Sequence, residues 1–428
     1  MPELNAFILL AIIVLMVLAD AKLRIMPFLL LILATALFSL ALNGSLPWTS
    51  KEFNTGFGQT ISAAGLAILA GAMVARLAEN SGANTYWRKR WKGRGLAVIA
   101  AIAGLGGTPL AALAVLTPVL RAAGTDRTRL GLTASYAVNA AQGCLVPSPL
   151  PIAALAILGG DWRWALGLGA VVALPQIVVG LALARRAPVD MAVETPSAPP
   201  SRRAAPGLVL AATLLIALVM AQSLGQIPSE PLGGGNTRED LLGLGRPMIL
   251  LLVGLIVAAV TMGGFRRNSL SDDGWVGHGG REALGIFLAV GAAGGFQMVL
   301  HNNGMAALIA ERVAALPPAL GIAVPFLVAL ASRLVQGSPL TAAITAAGMM
   351  QPLLAPLGLD TEAGRGLAAV AIGAGAMAGP HLNDGYFWLS CHHAGLRAAQ
   401  GLRWVTGGAL AQGAVALGVL SGLAILIP

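Results

Sequence analysis

The sequence predicts an all-α polytopic membrane protein, made of two inverted-topology repeats of five spans plus one re-entrant hairpin each, with broken helices at the midplane. Only 11% of the 428 residues are charged and 57% are apolar, whereas a soluble domain has about 25% charged residues. Apolar stretches of about 20 residues, long enough to cross a bilayer as a helix, recur along the chain. Interrupted stretches occur at matching places in both halves.

This composition excludes a soluble enzyme, a disordered protein and a disulfide scaffold, and the continuous apolar runs exclude a membrane β-barrel. The 55 Gly and 25 Pro residues are typical of closely packed and broken helices. The net charge of +9 is explained by positive loops that orient a membrane protein, so we expect no nucleic acid partner. Cys144 and Cys391 are expected to be buried packing residues without a disulfide.

The first repeat is predicted to cover residues 1–184. A re-entrant hairpin over 96–121 is indicated by Gly106-Gly107-Thr108-Pro109, which interrupts an apolar segment. A broken helix over 128–158 is indicated by the proline-rich break from Pro147 to Pro151. The continuous spans of this half are predicted over 4–19, 24–43, 60–78 and 164–184.

The second repeat is predicted to cover residues 207–428, after a charged and proline-rich cytoplasmic linker at 185–206. Its re-entrant hairpin is placed at 320–356, where Gln336-Gly337-Ser338-Pro339 interrupts the helix. Its broken helix is placed at 366–395, with the break at Gly379 to Asp384. The continuous spans are predicted over 207–225, 247–264, 283–301 and 404–427.

The distribution of positive charge sets the predicted orientation. If both hairpins return to their starting side, each half has an odd number of crossings and the second half is inverted. Most of the 27 Lys and Arg residues then share one side, which is cytoplasmic by the positive-inside rule. Both termini are therefore predicted on the non-cytoplasmic side. Hairpins that crossed fully would set the linker arginines opposite the basic run Arg88–Arg94, which the rule disfavours.

Arg333 and Asp384 are the two charged residues predicted to lie deep inside membrane segments, and each is next to a helix break. Such residues usually mark a binding site or pathway. Arg333 has two open interpretations, a partner for a substrate carboxylate or a structural partner for Asp384. Asp384 is the predicted proton carrier, since a carboxyl group removed from water can hold a proton near neutral pH. His381 is a candidate proton relay or a hydrogen-bonded packing residue, and Asn383 or Asp384 is a candidate helix cap.

Each predicted hairpin tip has a hydroxyl residue followed by proline, at Thr108-Pro109 and Ser338-Pro339, which is the pattern of an N-cap followed by the first helical residue. Helix N-termini bind anions, and the alternative is a kink without a ligand. The adjacent His392 and His393 point in different directions on a helix and have no acidic residue near them, so we expect no metal site there. No cofactor is expected either. The candidate substrate-binding residues are Gly107, Thr108, Asn139, Gln142, Ser148, Arg333, Gln336, Gly337, Ser338, Thr341, His381, Asn383 and Asp384.

The sequence resembles the gluconate:proton symporter (gluconate permease) family of the ion transporter superfamily. The segment from Gly379 to Trp388 is similar to the family's Ser-His-Val-Asn-Asp-x-x-Phe-Trp signature. The segment from Arg333 to Ser338, followed by Thr345 to Gly348, is similar to Arg-x-x-Gln-Gly-Ser and Thr-Ala-Ala-Gly. The first half departs from the family, because the segment from Gln142 to Pro151 lacks two histidines and Leu110 replaces an aspartate.

The resemblance implies a secondary active transporter in the bacterial inner membrane that imports a small organic anion, such as gluconate or a related hydroxy acid, by proton symport. It also implies elevator-type alternating access and a homodimer. The departures favour a smaller or less hydroxylated carboxylate. The alternatives are a sodium-coupled carboxylate or dicarboxylate transporter, an anion channel and an intramembrane enzyme. The enzyme would need a nucleophile with a base, which His381 and Asp384 alone do not supply.

Overall fold

A computed structural model describes residues 2–42, 44–189, 198–227, 230–305 and 320–427. Residues 190–197 of the predicted linker lie outside this set. The described part folds into helices without strands. In chain order, the helices are α1 (Pro2–Leu23), α2 (Pro27–Ala41), α3 (Leu46–Thr60), α4 (Leu66–Asn80), α5 (Ala83–Arg90), α6 (Leu96–Gly104), α7 (Pro109–Val115), α8 (Thr117–Ala123), α9 (Arg127–Cys144), α10 (Pro149–Leu158), α11 (Trp162–Arg186), α12 (Ala205–Gly225), α13 (Asn236–Leu244), α14 (Pro247–Met262), α15 (Trp275–Leu300), α16 (Ala323–Gln336), α17 (Pro339–Met350), α18 (Glu362–Met377), α19 (Gly385–Ala394), α20 (Ala398–Gly401) and α21 (Gly407–Leu426).

Polar side chains and glycines set several helix ends. The Asp126 carboxylate accepts a hydrogen bond from the Arg129 amide at 3.1 Å and caps α9. Thr361 caps α18 in the same way, through the Gly364 amide at 3.0 Å. Such caps satisfy amide groups that have no partner within the helix. Gly395 ends α19 in the left-handed conformation that glycine adopts without strain.

Six helical segments of the described chain are long and apolar enough to cross a membrane: Leu46–Asn80, Arg127–Leu158, Trp162–Arg186, Ala205–Gly225, Trp275–Asn303 and Ala398–Leu426. A seventh is added if α13 and α14, which are bent by 65°, form one span. The chain is therefore a multi-spanning helical protein. Five crossings were predicted for each half, and this count is not fully matched. Helices α2 and α14 have only 15 and 16 residues, and a non-helical segment at 378–384 divides α18 from α19.

Both interrupted segments that were predicted as hairpins are helix-break-helix units. In the first, α6 has nine residues, about 14 Å at 1.5 Å per residue, which is too short to cross the hydrocarbon core. It is followed by a break at 105–108 and then by α7, which contacts α6. In the second, α16 and α17 pack against each other on either side of Gly337 and Ser338. Their return to the starting side of the membrane remains a prediction.

Both broken helices are also present. The first is interrupted at 145–148 between α9 and α10, and the second at 378–384 between α18 and α19. Cys144 is the last residue of α9, and Cys391 lies within α19. Both cysteines are free and buried, as expected. The proline and glycine residues of the sequence therefore mark the breaks correctly.

Helices before and after the linker contact each other. Packed pairs include α4 with α15, α9 with α18, and α11 with α21. The contacts also recur between the halves in reciprocal form, since α7 packs on α19 while α17 packs on α10. Gly143 and Gly373 allow α9 and α18 to cross closely, because a Cβ on Gly373 would lie 2.0 Å from the Gly143 carbonyl oxygen. The broken helices thus form the centre of the molecule.

Candidate functional site

A buried ion pair lies at the centre of the second half. Arg333, near the end of α16, is 1% exposed, and Asp384, at the start of α19, is 4% exposed. The Arg333 Nη2 donates to the Asp384 Oδ2, and the Arg333 Nη1 donates to the Gly337 carbonyl oxygen. The structural pairing that the sequence left open is therefore present. Loss of either partner would leave an uncompensated buried charge, which is strongly destabilising.

Asp384 also caps α19. Its Oδ1 accepts a hydrogen bond from the Tyr386 amide at 2.9 Å. Of the two cap candidates, Asp384 rather than Asn383 has this role. The carboxylate therefore joins the beginning of α19 to the guanidinium of α16, so a change in its charge acts on both helices.

Asn383 and His381 attach the break to the end of α16. The Asn383 Nδ2 donates to the Leu334 and Val335 carbonyl oxygens at 3.2 and 3.3 Å. The His381 Nε2 lies 2.6 Å from the Leu334 carbonyl oxygen. Since a carbonyl oxygen only accepts, the Nε2 carries the proton, and the Nδ1 of a neutral ring is left as an acceptor.

The second hairpin tip is built around Gly337 and Ser338. Gly337 has a φ of +71°, and a Cβ there would lie 2.5 Å from the Asn383 carbonyl oxygen, so only glycine fits. The Ser338 hydroxyl accepts from the Thr341 amide at 3.3 Å and caps α17 as expected. The Thr341 hydroxyl donates to the same Ser338 oxygen at 3.0 Å. Gln336 accepts from the Thr345 hydroxyl at 3.3 Å.

The first hairpin tip is held by Gln142 of α9. The Gln142 Nε2 donates to the Gly107 carbonyl oxygen at 3.1 Å, and the Ser148 hydroxyl donates to the Gln142 carbonyl oxygen at 2.8 Å. Thr108 caps α7 through the Ala111 amide at 3.1 Å. The structure therefore brings Gly107, Gln142 and Ser148 together, as neutral counterparts of the charged second-half group.

Three further polar residues that the sequence reasoning missed support this region. Asn139 Nδ2 donates to the Gln412 Oε1 at 3.1 Å, and the Gln412 Nε2 donates to the Gln176 carbonyl oxygen at 2.9 Å. The Ser223 hydroxyl accepts from the Gly107 amide at 2.8 Å. The sequence contained one signal that could have found them. Gln176, Ser223 and Gln412 are polar residues within otherwise apolar spans.

The two groups meet through packing. The Leu110 side chain, near the first tip, lies close to Gly385. A Cβ on Gly385 would be 3.3 Å from the Leu110 Cδ2. Leu110, where the resemblance led us to expect an aspartate, is therefore next to the start of α19. Among the described residues, no hydrogen bond directly joins the Gln142 group to the Arg333 group.

Several buried polar atoms around the two breaks have no hydrogen-bond partner within the described chain. They belong to residues of both halves and include donors and acceptors: Asn139 Oδ1, Gln142 Oε1, Arg333 Nε, Gln336 Nε2, His381 Nδ1 and Asn383 Oδ1. Buried polar groups normally have partners. These atoms are therefore available to a polar ligand or to water.

A second ionic group joins α8 to α4 and α15. Arg121 of α8 pairs with Glu79 of α4 at 3.1 Å and with Glu282 of α15 at 2.5 Å. A small cavity beside this group is also lined by His392 and His393, which lie in the last turn of α19. Within the described residues, no three His, Cys, Asp or Glu side chains form a group that could hold a metal.

Comparison with known proteins identifies the family. The sequence profile of the GntP family permeases matches residues 4–426. The chain belongs to the GntP permease family. It is 27% identical over 426 residues to the inner membrane permease YgbN of Escherichia coli strain K12, which covers 91% of this chain and 92% of that protein. It is 28% identical over 399 residues to a gluconate permease of Pseudomonas aeruginosa, with 86% of each chain covered.

A third relative is a gluconate permease of Zymomonas mobilis, 27% identical over 422 residues, which covers 91% of each chain. The resemblance seen in the Arg333 and Asp384 segments is thus confirmed over almost the whole sequence. This GntP permease is a transport protein rather than an enzyme, and it is a multi-spanning protein of the inner membrane.

Proposed function

We propose that this GntP permease imports a small organic anion, a sugar acid such as gluconate or a related hydroxy acid, by proton symport. The buried pair of Arg333 and Asp384 carries the proposal. Relatives named gluconate permeases support the substrate class. The substrate carboxylate takes the place of Asp384 on the Arg333 guanidinium, whose planar fork suits a carboxylate.

Coupling follows from charge balance at Arg333. When Asp384 takes up a proton, it loses its charge, and Arg333 becomes a buried cation without an anionic partner. An arriving carboxylate removes that penalty, so the proton and the anion favour each other's binding. When the anion leaves and the proton is released, the ion pair forms again. His381 lies on the same break, and its Nδ1 has no partner within the described chain. This atom can accept a hydrogen bond from a substrate hydroxyl or relay the proton.

The rest of the substrate would bind to neutral groups at the two breaks. Asn139, Gln142, Gln336 and Asn383 each have a buried amide atom without a partner. The N-terminal end of α17, capped by Ser338, adds partial positive charge. The first tip offers less, because the Gly107 amide already donates to Ser223.

The proposed transport motion is an elevator-type displacement of the hairpins and broken helices against the remaining helices. The two inverted repeats, 1–184 and 207–428, are part of this proposal, and the linker at 185–206 connects them. The reciprocal packing of α7 on α19 and of α17 on α10 supports it. The homodimer remains an expectation from the family resemblance.

The central test is Asp384→Asn in liposomes loaded with substrate. We expect proton-driven uptake to fall at least about tenfold, because the amide cannot carry the proton, while exchange of internal for external substrate continues. The matched control is Asp360→Asn, which removes a carboxylate from an exposed pair with Arg365. Uptake that keeps its normal pH dependence in Asp384→Asn contradicts the proposal.

The choice of ion and substrate needs two direct measurements. Uptake with and without sodium at fixed pH separates proton symport from the sodium-coupled alternative, and concentrative, saturable uptake excludes a channel. A thermal-shift screen of sugar acids, hydroxy acids and dicarboxylates identifies the anion. Leu110, which is apolar where the family has an aspartate, favours a less hydroxylated member of this set.

A further inference from the structure

An apolar groove opens on the surface between α5, α6, α8 and α12. Its walls include Trp87 and Trp91 together with Leu208 and Ile216. The groove encloses about 250 Å³ of free space. Val209 also lines it and is 47% exposed. Since α12 is a membrane-spanning helix, an exposed apolar residue on it faces lipid. We call this cavity the tryptophan groove.

Basic side chains without acidic partners accompany the groove. Lys89, Lys92, Arg94, Arg202 and Arg203 are exposed, and none forms an ion pair with a described residue. They form what we call the basic rim. Their two sequence segments lead directly into the groove walls, the first into α6 and the second into α12.

Hydrogen bonds hold the two basic segments against each other. The Ser201 amide donates to the Gly82 carbonyl oxygen at 3.1 Å, just before α5. The Trp87 Nε1 donates to the Ala205 carbonyl oxygen at 2.9 Å, at the start of α12. The rim residues therefore belong to one surface next to the groove, rather than to two separate loops.

We propose that the tryptophan groove and the basic rim form a binding site for an anionic phospholipid. An acyl chain occupies the apolar groove, and the phosphate is held by Lys89, Lys92 and Arg94. Charge complementarity favours this ligand, since basic clusters next to membrane helices attract anionic headgroups. Tryptophans are suited to the boundary, because they present an apolar ring and a polar N–H.

This site goes beyond a general interfacial anchor, which would hold any lipid. It also touches both α6, part of the first hairpin unit, and α12, whose Ser223 contacts the hairpin tip. It does not depend on proton coupling or on the transported anion. The test can therefore fail while the proposed transport function stands, and the reverse also holds.

The experiment uses tryptophan fluorescence of the full chain in vesicles. Brominated phosphatidylglycerol and brominated phosphatidylcholine are compared as quenchers in an otherwise equal lipid mixture. We expect stronger quenching by the brominated phosphatidylglycerol. Trp87→Phe combined with Trp91→Phe should remove the excess, which places its source in the groove.

The double variant Lys92→Gln/Arg94→Gln should weaken the preference for phosphatidylglycerol by up to about thirtyfold, the factor expected for two interfacial cations. The matched control is Arg266→Gln/Arg267→Gln, which removes two exposed positive charges that do not line the groove. Equal quenching by the two lipids in the unmodified protein overturns the proposal. An equal loss of preference in the control also overturns it, because general surface charge would then explain the effect.

Discussion

Arg333 is fully buried and divides its guanidinium between a carboxylate and a backbone carbonyl, Asp384 and Gly337. Lysine could not reproduce this geometry, because its ammonium group lacks the planar fork. The same side chain therefore fixes the second hairpin tip and balances the only described carboxylate within its reach. The structural role of Arg333 and its proposed role in transport therefore concern the same side chain.

Breaking this pair on one side should cost more stability than removing it whole. Arg333→Gln alone is expected to lower the free energy of unfolding by about 3–5 kcal/mol, because Asp384 stays buried without a cation. Adding Asp384→Asn should restore a substantial part of it. Thermal unfolding in detergent measures both, with Arg129→Gln in its exposed pair with Asp126 as the control, for which about 0–1 kcal/mol is expected. A double variant no more stable than Arg333→Gln contradicts this account.

Alanine substitutions at Gly337 and Gly358 can separate the cost of a left-handed backbone from the cost of a steric clash. Both have a φ of +71°, but a Cβ on Gly337 would lie 2.5 Å from the Asn383 carbonyl oxygen, whereas Gly358 has open space. Alanine should cost roughly 1–2 kcal/mol at either site through its left-handed backbone. Gly337→Ala should cost clearly more and should also weaken substrate binding, as measured by unfolding and by thermal shift with substrate. Equal costs would mean that the tip adjusts freely.

The contacts of Arg333 and Asp384 were largely predictable from sequence, and so was the grouping of Gly107, Gln142 and Ser148, but the residues that support the latter were not. Arg333 and Asp384 stand out because charges are rare in apolar segments. Gln412 and Ser223 are neutral, so their polarity is weak against the apolar background, and their partners lie far away in sequence. The capping role of Asp384 rather than Asn383 depended on the local backbone, which the sequence leaves open.

The crossing of α9 and α18 joins the two broken helices, and it depends on glycine. Gly143 and Gly373 bring the two backbones into contact, as small residues do in membrane helix pairs. This contact lies directly before the first break and within the helix that leads to the second. The two breaks therefore stay aligned only while the helices remain close.

Gly373→Ala should force α9 and α18 apart, because the added Cβ would meet the Gly143 carbonyl oxygen at 2.0 Å. We expect a loss of at least about 2 kcal/mol of stability together with weaker substrate binding. The control is Gly418→Ala in α21, where nothing lies within 4 Å, and alanine should be neutral or stabilising in a helix. Unfolding temperature and substrate affinity are compared for both. Two indistinguishable variants would contradict close packing here.

Helix boundaries were predicted best where the sequence contains helix-breaking glycine and proline residues. The interruptions at Thr108-Pro109 and Ser338-Pro339 appear at the predicted places. The extension of the third span back to Leu46 was missed, because Lys51, Glu52 and Asn54 hide a helix that continues through a π-helical turn at Ile61–Gly65. Short α13 was missed for the same reason.

The arrangement of the whole chain rests on which side each loop faces. Reporter fusions after Arg94 and within the linker at 185–206 should both read cytoplasmic, and fusions at the two termini should read non-cytoplasmic. The physical reason is the clustering of positive charge on one side when both hairpins re-enter. A fusion after Gly160, in the loop between α10 and α11, serves as the opposite-side control. Opposite readings after Arg94 and in the linker would exclude the re-entrant arrangement.

The two thiols of the molecule are shielded in the native fold. Cys144 accepts a hydrogen bond from the Gln176 amide at the end of α9, and Cys391 is enclosed within α19. A water-borne maleimide should therefore label the resting protein slowly. If the broken helices separate during transport, the labelling rate should rise during turnover and report how often the thiols become exposed. Because the two native thiols react slowly, a single cysteine introduced on the surface can be labelled with a dye without removing them.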